Sequence, residues 1–113
     1  MDKRTLRALH GSVRKWIAIA EWRGRDCGCD DCPLCKLFLN DTQLSDCEGC
    51  PVRGVTGSTN CVGSPYVEWN RLFPSYWWAE RAVYDEASQR AAEAEALFLI
   101  GLLPPKERER YYE

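Results

Sequence analysis

Apolar positions in the first twenty residues recur every three or four places. Leu6, Leu9, Val13, Trp16, Ile17 and Ala20 fall on one side of a helix of 3.6 residues per turn, and Lys3, Arg4, Arg7, Arg14 and Lys15 fall on the other. The pattern predicts an amphipathic helix from Lys3 to about Trp22, with Asp2 as its N-cap and Gly24 as its stop. His10 lies at the edge of the apolar side and reads as a boundary residue, not a ligand or a base. After Cys35, the segment KLFLN predicts about two helical turns, with Asp31 as cap and Pro33 in the first turn. From Asn40 to Pro65 the periodicity disappears. Gly, Ser, Thr, Asn and Asp predominate there, which predicts loops and turns with room for short strands around Val52 to Val55.

The helical pattern returns after an aromatic cluster of Tyr66, Trp69, Phe73, Tyr76, Trp77 and Trp78. Pro74 and Ser75 mark a helix start, and the pattern continues to about Leu102. Tyr76, Val83, Ala87, Ala94, Phe98 and Gly101 form its expected stripe. The alanines in the middle would let another helix backbone come close, either the first helix or, in a homodimer, a second copy. Pro104 and Pro105 end this helix, and KERERYYE reads as a charged, frayed tail. Adjacent residues on one helix do not share a face. Trp77 and Trp78 therefore cannot both enter the core, and the pair is a candidate contact with a partner.

A chain of 113 residues makes one domain. It divides into an N-terminal helix (1–25), a cysteine-rich module (26–65), an aromatic and helical block (66–103) and the tail (104–113). Hydrophobic residues at 45% and charged residues at 28% indicate a globular chain, and a core this small gains from a staple such as a metal. The net charge of −2 decides nothing about nucleic acid, but its distribution is uneven. Residues 1–25 carry seven cations against two anions, and residues 26–50 carry one against six. Either the two blocks attract within the fold, or the basic face, with Arg7 and Arg14, is kept for nucleic acid or an acidic partner. The run WIAIA is too short and too late for a signal sequence, and Ala96 to Leu103 falls far short of the ~18 residues a membrane span needs. The expected setting is a reducing cytoplasm with no membrane association, where clustered cysteines bind metal more often than they form disulfides.

All seven cysteines fall between Cys27 and Cys61, so internal pairing cannot be complete. Their spacing is Cys27-x-Cys29-x2-Cys32-x2-Cys35-x11-Cys47-x2-Cys50-x10-Cys61. Two residues between thiols let one tight turn present both sulfurs to one ion, and two such turns complete a tetrahedron. Cys32, Cys35, Cys47 and Cys50 are therefore the expected ligands of a structural Zn2+. Cys61 could displace Cys32 as the fourth ligand, and Cys27 and Cys29 are surplus. The main rival is a 4Fe-4S cluster. Cys29-x2-Cys32-x2-Cys35 followed by Cys50-Pro51 resembles the ferredoxin run, although there the Cys-Pro comes only three residues later. Thiol redox chemistry lacks the strand–CxxC–helix context it usually has. A cysteine nucleophile would need a base, and His10 is the single histidine. Asp30 with Asp31, and Asp85 with Glu86, read as ordinary solvated acids. GVTGSTN lacks the lysine and the helix of a phosphate-binding loop. The expectation is a protein that is not an enzyme.

Three motifs in order, CPLC (Cys32–Cys35), CEGCP (Cys47–Pro51) and CVGSPYVEW (Cys61–Trp69), resemble those of a widespread group of small cysteine-rich accessory proteins of tailed bacteriophages. The resemblance covers about a third of the chain. It implies that Cys32, Cys35, Cys47, Cys50 and Cys61 belong to one metal site, and it leaves Cys27 and Cys29 outside. It further implies action in an infected bacterial cytoplasm by binding a host component, with no catalytic residues. The expected fold is mainly α: an N-terminal amphipathic helix, a zinc-knuckle-like module of loops with a short helix or hairpin, and a long C-terminal helix.

Overall fold

The computed structural model describes residues 1–21, 23, 32–38, 50–57, 63–72 and 86–111, and every regular element among them is helical. In chain order these are α1 (Lys3–Ala20), α2 (Pro33–Phe38), α3 (Pro51–Thr56), α4 (Tyr66–Leu72), α5 (Glu86–Gly101) and α6 (Pro105–Arg108), followed by a short 3-10 turn, Glu109–Tyr111. The protein is mainly α, as its periodicity predicts. No helix among the described residues is long and apolar enough to cross a membrane.

Asp2 opens α1 in the expected way. Its side chain accepts a hydrogen bond from the Thr5 amide at 2.7 Å, which satisfies one of the donors left open at a helix start. That bond holds the Asp2 carboxyl below its ordinary value of 3.8. The helix stops at Ala20, two residues before the expected end. There the Glu21 amide bonds the Ile17 carbonyl, and Gln89 of α5 donates from Nε2 to the Ala20 carbonyl at 3.0 Å. Gly24, the expected stop, lies outside the described residues.

The apolar side of α1 builds the core. Leu9, Val13, Trp16, Ile19 and Ala20 are buried, with Leu6 and Ile17 packed at the margin. Each large aliphatic side chain so buried contributes about 1.5–3 kcal/mol. Trp16 meets two rings of α4 edge-on: Trp69 at 5.2 Å between centroids and Tyr66 at 5.7 Å. The quadrupoles of aromatic rings favour this geometry. Trp69 is itself 2% exposed, so this part of the aromatic cluster is core.

α5 is the main partner of α1. It buries Ser88, Ala91, Ala92, Glu95, Ala96, Leu99 and Ile100. The predicted stripe is therefore wrong in phase: Ala87, Ala94 and Gly101 are exposed and Phe98 is only half-buried. That stripe carried its phase from Tyr76, across residues outside the described ones, whereas α5 takes its own phase from Leu99, Ile100 and the following Leu103. The expected contact with the first helix does occur, and the alanines that α5 buries are Ala91, Ala92 and Ala96.

Two further expectations are corrected. Val52 to Val55 lie in α3, not in strands. Pro51 presets the first turn, and Gly57, at φ 75°, closes the last one by bonding its amide to the Arg53 carbonyl. The tail is not frayed through Tyr111. Pro104 and Pro105 end α5 and start α6, and Arg108 turns back to donate to the Leu103 carbonyl at 2.8 Å and the Gly101 carbonyl at 2.9 Å. A cation on carbonyls at a helix C-terminus also complements the helix dipole.

Candidate metal centre and basic cleft

α2 places the first CxxC pair. It begins at Pro33 and contains Cys35, earlier than the turns predicted after Cys35, so one sulfur precedes the helix and the other sits in its first turn. The Cys35 amide points at Cys32 Sγ, 3.4 Å away. An amide aimed at a thiolate is the supporting contact that a metal-bound cysteine calls for. Both cysteines are half-buried, and Leu34 between them is buried in the core.

α2 packs on α1, and Gly11 is where they touch. A β-carbon at Gly11 would stand 3.0 Å from Pro33 Cγ and 3.3 Å from Pro33 Cβ. The missing side chain therefore lets the start of α2, and the sulfurs with it, settle onto α1.

The surroundings ionise Cys32. Its thiol is lowered from 9.0 to about 6. The main cause is the hydrogen bond with the Cys35 thiol, and burial opposes it. The Cys35 amide, the Lys15 charge and the Ser12 hydroxyl add smaller lowering effects. Ser12 is 1% exposed, and its hydroxyl has no well-formed hydrogen bond among the described residues, so its effect is through proximity. Lys15 and Ser12 were absent from the sequence-based site because nothing local links them to Cys32; only the packing of α1 on α2 does.

Cys50 caps the N-terminus of α3, is 8% exposed, and belongs to the same core cluster against which Cys32 packs. It is not gathered with Cys32 and Cys35 into one ligand set. Among the described residues, no three Cys, His, Asp or Glu side chains are grouped so as to hold a metal. Cys47 and Cys61, together with Cys27, Cys29, Trp77 and Trp78, lie outside the described residues. What the structure brings together is one half of the expected tetrahedron, and its soft, partly ionised donors suit Zn2+.

A second site emerges on the opposite side of α1. His10 is 6% exposed, deeper than its edge position predicts, because α6 and the following turn cover it. Its Nε2 lies 2.8 Å from Glu107 Oε1 and its Nδ1 lies 2.6 Å from the Tyr111 hydroxyl. A carboxylate can only accept, so Nε2 carries the proton. In the neutral imidazole Nδ1 then accepts from Tyr111. Both ring nitrogens are occupied, and none is left for a metal or a substrate. Beside this contact runs an open cleft of ≈ 410 Å³ lined by Lys3, Leu6, Arg7, His10 and Arg14 of α1, with Glu107 and Arg110 on the far wall. Arg7 and Arg14, the predicted partner-facing cations, thus share one concave surface.

No family model matches the chain, and no curated protein or solved structure is significantly similar to it.

Proposed function

We propose that this chain is a zinc-stabilised, non-enzymatic binding protein. In this reading Cys32, Cys35, Cys47 and Cys50 hold one structural ion, with Cys61 the alternative to Cys32, and Cys50 would move from the head of α3 to join the Cys32–Cys35 pair when the ion binds. The observation that carries it is the juxtaposition of Cys32 and Cys35 at the start of α2, with the Cys35 amide directed at the Cys32 sulfur. The commitment of His10 to Glu107 and Tyr111 supports a role other than catalysis, since it leaves no imidazole to serve a cysteine as base. By its resemblance to phage accessory proteins, the chain would act in the cytoplasm of an infected bacterium and engage a host protein. Trp77 and Trp78 are the proposed contact residues, since adjacent positions on one helix cannot both face a core and tryptophan is enriched among residues that anchor interfaces.

The ligand set is tested by metal analysis of purified variants. The parent should carry one zinc per chain and no iron. Cys35→Ser and Cys47→Ser should lose it, whereas Cys27→Ser and Cys29→Ser should keep it. Iron with sulfide would establish the cluster instead. Trp78→Ala should keep zinc while losing its protein partner in a pull-down. A partner retained by that variant would remove the tryptophans from the interface.

A further inference from the structure

The cleft beside His10 holds more positive charge than the fold uses. Lys3, Arg7 and Arg14 differ by four and seven positions, which at 100° per residue confines them to an arc of about 40° on α1. They extend for about 16 Å along the helix axis at 1.5 Å per residue. None of the three has an ion-pair partner among the described residues. The opposite wall supplies a fourth cation, Arg110, which shares Glu107 at 3.2 Å. Glu107 is the one acid lining the cleft, and His10 already engages it at 2.8 Å. A chain of net charge −2 therefore concentrates a surplus of cations in one concavity.

The shape narrows the ligand. The guanidinium groups of Arg7 and Arg14 match phosphate oxygens, which they can bind in bidentate fashion, and Lys3 adds an ammonium in line with them. Their linear spread along α1 suits several linked phosphates better than a single one. An open cleft of ≈ 410 Å³ has room for a few linked phosphates of one strand. Among the described residues no aromatic ring other than the His10 imidazole lines it, so bases find no stacking platform there. We propose that the cleft between α1 and the α6 segment binds the phosphate backbone of single-stranded nucleic acid without regard to sequence. Lys3, Arg7 and Arg14 are the contact residues, and the His10–Glu107–Tyr111 contact fixes the second wall. The proposal concerns a surface separate from the cysteines and stands whether or not the metal is zinc.

The test is fluorescence anisotropy of labelled single-stranded DNA with the full-length, metal-loaded protein across a salt series. Two unrelated sequences should bind alike, and affinity should fall steeply with salt. R7A/R14A should weaken binding about tenfold or more and flatten the slope of log K against log salt by about 1.4, the share of two single-strand phosphate contacts. R4A removes an exposed α1 cation that does not line the cleft, and should stay near the parent. Circular dichroism and metal content of each variant separate loss of the site from loss of the fold, and R7Q/R14Q provides a second pair if R7A/R14A is unstable. Absence of binding by the folded parent would overturn the proposal, as would equal losses in R4A and R7A/R14A. Displacement of the strand by ATP at equal phosphate concentration would assign the cleft to a free nucleotide and overturn it too.

Discussion

His10 shows how much one side chain can organise when both its nitrogens are used. Its partners lie 97 and 101 residues away in sequence, and through them the end of the chain closes over the start. Tyr111→Phe would keep the ring but leave Nδ1 of a buried imidazole without its donor. Such a loss costs about 1–3 kcal/mol. Urea unfolding should show that decrease, and limited proteolysis should cut the tail sooner than in the parent. Asp2 gives the pH-dependent counterpart. Its carboxyl titrates below 3.8 in the folded chain because the ionised form accepts the Thr5 amide. The stability it adds is therefore complete above 3.8 and is lost as pH falls through the lower folded value. Asp2→Ala should melt at a lower temperature than the parent at neutral pH, and the gap should shrink in acid. Asp2→Asn, which caps comparably, should lose most of that pH dependence. An Asp2 NMR titration with its midpoint at or above 3.8 would contradict this.

Helix α1 was legible because strong aliphatic periodicity and a capping residue agree about it, and packing then confirms both. The face of α5 was harder to read for a physical reason. Ala87, Ala91, Ala92, Ala94 and Ala96 spread over more than half of the helix circumference, with Ala87 and Ala94 exposed and the others buried, so small residues do not single out a side, and the phase rests on Leu99, Ile100 and Leu103. For α3, valine's β preference suggested strands, but Pro51 at its first position and Gly57 after it are stronger local instructions. Cys32 and Cys35 meet in one turn, as two intervening residues dictate, while Lys15, Ser12 and the His10 contacts arise from packing between distant segments and leave no local pattern. Gly11 belongs with these. Alanine in a helix interior ordinarily stabilises by roughly 0.5–1 kcal/mol over glycine, yet here its β-carbon would press on Pro33. Gly11→Ala should therefore weaken metal retention in a chelator competition, even though it strengthens α1 itself. Unchanged retention would show that the α1–α2 contact does not position the sulfurs.

At the scale of the whole molecule, the described residues form two long helices in contact, with four short helices around them that are too brief to stand alone. Under the zinc proposal their cohesion draws on more than an alanine-rich interface and a few large side chains. In the proposed account a tetrahedral thiolate centre supplies the rest. Binding of a structural ion is then folding free energy, on the order of 10 kcal/mol in small modules. The α1–α6 side, held by His10 and Arg108, would be the free surface of that scaffold. The most direct measurement is helicity by circular dichroism while a strong chelator removes the metal from the purified protein. The account predicts one zinc released per chain, a collapse of the helical signal, and its return when zinc is restored. A protein that remains helical and metal-free, with every cysteine a reactive thiol, would contradict it.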